Sequence, residues 1–126
     1  MPAAPPPTPP CDTVWQNWKQ YMGGASSATI QGWLADGVEL YDYDVNVSKL
    51  GPKDVADYLV QILPDIDKHA DAQIRNVGTT TCLCLNHMTR PMHGQCVDVV
   101  TVDPTNGNKV TRIEICATKQ QGTYPV

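Results

Sequence analysis

Between Asp12 and Met22, Val14, Trp15, Trp18, Tyr21 and Met22 recur at helical spacing, which predicts an amphipathic helix ended by the Gly23-Gly24 pair. Ser26 and Ser27 can cap a second, shorter helix in which Ile30, Trp33 and Leu34 share a side, and Asp36-Gly37 breaks it. The pattern then becomes that of a strand. Val38 to Val45 is rich in branched and aromatic residues, with Leu40, Asp42 and Asp44 on one face and Glu39, Tyr41 and Tyr43 on the other. After the loop residue Gly51, Pro52 suits the first turn of a third helix, where its missing N–H costs nothing. Val55, Tyr58, Leu59, Ile62 and Leu63 form the apolar stripe of that helix, and Pro64 stops it.

Asp65 to Asp71 is polar and reads as a connection, with His69 inside it as a solvated side chain. From Ala72 the pattern is that of strands: Ala72 to Val77, Thr79 to Thr89, Gln95 to Asp103 and Lys109 to Thr118. Turn residues separate the later ones, at Arg90 to Gly94 and at Asp103 to Gly107. Helices grouped early and an antiparallel meander afterwards make an α+β order rather than a doubly wound one.

Composition narrows the functional classes. With nine Lys and Arg among 126 residues and a net charge of -4, the chain lacks the clustered positive charge that nucleic-acid binding needs, and no nucleic-acid partner is expected. No apolar run approaches the ~20 residues of a membrane span and no signal-peptide pattern opens the chain, so a soluble cytoplasmic protein is expected. Five cysteines, an odd number, then predict reduced, buried thiols rather than a disulfide framework. Cys82 and Cys84 lack a second paired spacing of the zinc-ribbon kind, so no metal is expected. No glycine-rich phosphate loop is present, and no cofactor is expected. Residues 1–11 read as a disordered proline-rich tail, 12–118 as a single domain and 119–126 as a C-terminal tail.

Two segments, LADGVELYDYDVNVSKLGPKDVADYL and CVDVVTVDPTNGNKVTRIEI, carry a resemblance that spans nearly all of the chain. The first resembles the acidic strand, glycine and third helix of the nuclear transport factor-like cone fold, and the second its final hairpin. That group includes ketosteroid isomerases, SnoaL-like polyketide cyclases, limonene epoxide hydrolases and scytalone dehydratases. The resemblance implies three N-terminal helices packed on a strongly curved, mostly antiparallel sheet, forming a cone with an internal pocket. It also implies a homodimer paired through the convex sheet face.

Laid against ketosteroid isomerases, Asp42 falls where the family keeps its proton-shuttling aspartate and Asp98 where it keeps the protonated acid of the oxyanion hole. The family's first-helix tyrosine corresponds to Trp18 or a close neighbour, with Tyr21 one helical turn away. The cone's concave side and strand alternation together place Thr81, Leu83, Leu85 and His87 on one inward face, Cys96, Asp98 and Val100 on the next and Thr111, Ile113 and Ile115 on the last. His87, expected across from Cys96 and diagonal to Asp98, is then a third catalytic candidate. Aliphatic neighbours would keep Asp98 neutral. Trp18, Tyr58, Leu83, Leu85, Cys96 and Ile113 are the expected substrate contacts.

The function so implied is a cofactor-independent acid/base isomerase, cyclase or lyase acting on a small apolar carbonyl, polyketide-like or epoxide-bearing molecule. The alternative is a non-catalytic ligand-binding or dimerisation module of the same fold.

Overall fold

Helix α1, Pro10–Met22, opens with a proline in its first turn, where no N–H is required. The computed structural model describes residues 9–66, 73–88 and 94–117. The predicted tail through residue 8, His69, the turn at 90–93 and the segment from 118 onward lie outside them. Pro10 and Cys11 are buried in α1, so the helix begins inside the stretch assigned to the tail.

Ser26 caps α2, Ser27–Gln31, by accepting from the Thr29 amide at 3.2 Å. Strand β1, Leu34–Asp42, starts four residues earlier than Val38 and alternates so that Val38, Leu40 and Asp42 face inward. A turn with Asn46 at φ 54° leads into β2, Val47–Leu50, a short strand that the sequence reading does not contain. Gly51, at φ 88°, redirects the chain into α3, Pro52–Ile62. A 3₁₀ turn, Leu63–Asp65, follows around Pro64. The remaining strands are β3, Gln73–Val77, β4, Thr81–Met88, β5, Gly94–Asp103, and β6, Lys109–Ala117.

These strands form one six-stranded sheet ordered β2-β1-β6-β5-β4-β3, antiparallel except for the β1–β6 pair. The fold is therefore α+β, with three helices and a mostly antiparallel sheet. The third helix lies between β2 and β3, so the helices are not all N-terminal to the sheet. Ile30 of α2, Val55 and Ala56 of α3, and Val38, Leu40 and Cys82 of the sheet are fully buried, which places the core between the helices and one sheet face. Tyr21 of α1 ties that layer to α3, its hydroxyl donating to the Leu59 carbonyl at 2.5 Å.

Two expectations fail. Cys11 and Cys82 form a disulfide with Cα atoms 5.4 Å apart, clamping the start of α1 to β4, so the thiols are not all reduced. Odd parity misleads here because Cys84, Cys96 and Cys116 stay free while a single pair bridges. The β4–β5 register is also shifted by one residue from the expected one. Asn86 pairs with Cys96, Cys84 with Asp98 and His87 with Gln95. Because side chains alternate, that shift turns Cys82, Cys84 and Asn86 inward and sends Leu83, Leu85 and His87 to the opposite face. Among the described residues, no helix is long and apolar enough to cross a membrane.

Candidate active site

Asp42 ends β1 and Asp98 sits mid-β5, and both are in register with Ile115 of β6. The two carboxylates therefore stand at one level of the sheet, with Cα atoms about two strand spacings, roughly 10 Å, apart. They line the same cavity of about 90 Å³, between the sheet, α1, α3 and the turn after α3. Such a space holds roughly six waters or a molecule of few heavy atoms, well below the ~300 Å³ of an ordinary small-molecule site.

Asp42 is buried, and its Oδ2 accepts from the Tyr58 hydroxyl at 2.6 Å while Oδ1 has no partner. Burial, and then the bond to Asp42, push the Tyr58 phenol above its ordinary range, so it remains a protonated donor. Asp98 is only partly accessible, and that accessibility faces two cavities, the first and a neighbour of about 80 Å³. Burial raises its carboxyl from 3.8 to about 6, against the opposing pull of two donors and with a smaller push from the Asp42 charge. The donors are the Cys96 thiol, 3.1 Å from Oδ1, and the Asn86 amide, 3.2 Å from Oδ2. Burial and the adjacent Asp98 hold the Cys96 thiol protonated.

Of the other expected contacts, Tyr58, Cys96 and Ile113 line the first cavity. Trp18 does not. It lines the second cavity, edge-on to Tyr21 at 5.9 Å. Leu83, Leu85 and His87 are on the far side of the sheet, so His87 cannot pair with either aspartate. Tyr21, Leu59, Asp98 and Ile113 border both cavities and form the partition between them. Burial, followed by the charge on Asp98, raises the Tyr21 phenol far above its usual range.

Two contributors are absent from the expected set. Tyr21 was legible as the only tyrosine of the first helix and lay one turn from the family position. Asn86 was not, because its placement depends on the register. Among the described residues, no three His, Cys, Asp or Glu side chains gather as a metal site would require.

No family model matches the chain, and no curated protein does. Solved structures do match. A steroid delta-isomerase from Pseudomonas aeruginosa aligns with TM-score 0.69 over 92% of this chain and 85% of its own, at 9% identity. A protein described as a SnoaL-like polyketide cyclase, from Shewanella putrefaciens CN-32, gives 0.63 over 93% and 91%, at 12% identity. A protein of ketosteroid isomerase-like fold from Catenulispora acidiphila, in complex with trimethylamine, gives 0.56 over 82% and 83%, at 10% identity. At such identities the likeness is one of fold: this chain has the nuclear transport factor-like fold.

Proposed function

We propose that the chain is a cofactor-independent acid/base enzyme that relocates a proton on a small molecule, in the manner of an isomerase, cyclase or lyase. The observation that carries this reading is the pair of carboxylates, Asp42 and Asp98, lining one cavity in different hydrogen-bonded settings. Asp42 is the base. Its Oδ1 is without a partner, and Tyr58 holds the other oxygen in place. On a carbonyl compound the proton leaves the adjacent carbon for Asp42, the C–H pair forms a carbon–carbon double bond, and the carbonyl pair moves onto oxygen. Below about pH 6, where Asp98 keeps its proton, it donates to that oxygen, and Tyr21 stands beside it. The cavity volume restricts this chemistry to substrates much smaller than a steroid.

Proton exchange tests the reading. Small ketones incubated with the protein in deuterium oxide should lose their α-proton NMR signals, and Asp42→Asn should abolish the exchange while leaving the fold intact. Unchanged exchange in the variant removes Asp42 from the mechanism. Because Asp98 acts as a donor only when protonated, exchange should fall as pH rises through about 6.

A second reading, non-catalytic ligand binding, is favoured by Tyr21, whose hydroxyl proton is already committed to the Leu59 carbonyl. Exchange by no small carbonyl compound, together with saturable binding, would select it. The outward sheet face supports a homodimer under either reading. Leu83 opposes Val99 and Leu85 opposes Val97 there, all half-buried in the single chain, and a second copy would cover them.

A further inference from the structure

Among the described residues, and with Asp98 ionised at neutral pH, the hydroxyl and thiol donors lining the first cavity are committed within the protein. The Tyr21 hydroxyl donates to the Leu59 carbonyl, the Tyr58 hydroxyl to Asp42 and the Cys96 thiol to Asp98. What these side chains leave to a ligand is acceptors, above all Asp42 Oδ1, which is buried without a partner. A carboxylate oxygen in that state is costly, and a ligand that brings a donor relieves the cost. A ligand that brings only acceptors meets no open partner among these groups.

Charge selects among donor-bearing ligands. Asp42 and Asp98 flank Ile115 at one level, and the charge on Asp42 disfavours ionisation of Asp98. A positive group between them favours both carboxylates, in a setting where burial weakens screening. Asp44 and Asp65 also line the space, have interactions of their own and add negative charge around Tyr58. Among the other walls are Ile62, Ile113 and Ile115, which suit alkyl groups; of the two tyrosines, Tyr58 already carries the Lys49 ammonium over its ring, 5.9 Å from the centroid.

We propose that this cavity takes a small organic ammonium or iminium ion, its N–H directed to Asp42 Oδ1 and its alkyl part packed on Ile62, Ile113 and Ile115. The proposal rests on the reading that this cavity is the functional site, and it adds the class of substrate. It also suits proton transfer. When an iminium loses a proton from the adjacent carbon to a carboxylate, the C–H pair forms the carbon–carbon double bond. The C=N pair then settles on nitrogen. The product is a neutral enamine, so two carboxylates oppose no developing oxyanion.

The test compares isopropylammonium chloride with isopropanol, molecules of equal size that differ in charge, by NMR titration of the full chain at neutral pH and fixed ionic strength. The ammonium should give saturable shifts at Tyr58, Ile113 and Ile115, with affinity at least roughly tenfold above that of the alcohol. Asp42→Asn should lower the ammonium affinity by about the same factor and change that of the alcohol much less, since the amide still offers the alcohol a neutral hydrogen-bond partner. Should that variant lose its dispersed spectrum, Asp98→Asn gives the same reading, as one of the two charges is gone. Equal affinities for the two probes, or no saturable ammonium shift in wild type, overturn the proposal. Ammonium binding without proton exchange on any carbonyl or iminium compound would sink the enzyme reading and leave the cation site standing. Exchange on a neutral ketone with no preference for the ammonium would do the reverse.

Discussion

Replacing Asp98 with asparagine should stabilise the protein at neutral pH and leave it unchanged in acid. The folded chain holds the Asp98 proton up to about 6, against an ordinary value of 3.8, chiefly because burial disfavours the charge. Between those two values the folded state binds more protons than the unfolded one, so stability falls as pH rises and levels off above the folded value. At about 1.4 kcal/mol per unit, the ionised carboxylate costs up to ~3 kcal/mol at neutral pH. In Asp98→Asn the new carbonyl can still accept from the Cys96 thiol, 3.1 Å away in wild type. The new amide can meet Asn86 after a flip that brings the now unpartnered Oδ1 of Asn86 towards it. Both hydrogen bonds survive and the charge does not. Urea unfolding followed by tryptophan fluorescence, in wild type and variant from acid to neutral pH, isolates this group. Carboxylates that titrate in the other sense, such as Asp57, whose pKa the Lys53 bond lowers, cancel in the difference. The gap should open through the range between the ordinary and raised values; two curves that stay parallel would refute the assignment of a buried, penalised charge.

Further outcomes follow from single contacts. Tyr58→Phe removes the donor to the buried Asp42 oxygen and should cost about 2 kcal/mol, the usual worth of a hydrogen bond to a charged group, read by urea unfolding. Cys11→Ser with Cys82→Ser opens a cross-link between residues 71 apart. The chain-entropy estimate for such a loop is about 4 kcal/mol, and reduction should lower the melting temperature of wild type but not of the double variant. His87→Ala should leave the NMR titration of Asp98 unmoved, since the two side chains occupy opposite faces; a displaced titration would restore the histidine to the site. Leu83→Lys on the outer face should convert a dimer to a monomer in light scattering, and a wild-type monomer at micromolar concentration removes the dimer altogether.

Most elements were legible because their signals are local. Ser26, Gly51-Pro52, Pro64 and the Asp103 to Gly107 turn punctuate the chain where the structure does, and the strand periods mark β3 to β6 within a few residues. β2 was not legible. Its residues are mostly exposed, so no inward–outward alternation marks it, and only pairing with β1 makes it a strand. The disulfide was hidden for a related reason: Cys11 and Cys82 are 71 residues apart, and only the packing of α1 on β4 brings them together. Alternation put Asp42 on the face of Leu40 but left open whether that face turns inward, which the structure decides by burying both.

The face of β4 could not be assigned from its own residues, and that one choice decides the chemistry of the site. Apolarity favours turning Leu83 and Leu85 inward, which would surround Asp98 with aliphatic groups and hold it neutral. The actual register puts Cys84 and Asn86 there, and Asn86 and Cys96 donate to the Asp98 oxygens. Those donors favour the ionised form, and burial raises the carboxyl only to about 6. At neutral pH Asp98 is then mainly a carboxylate, an acceptor rather than an oxyanion donor. The same register carries the leucines to the outer face, opposite Val97 and Val99, leaving apolar surface on both sides of the sheet. One shift of a single residue thus gives the cavity a second negative charge and the outer face an apolar strip that a partner copy would cover.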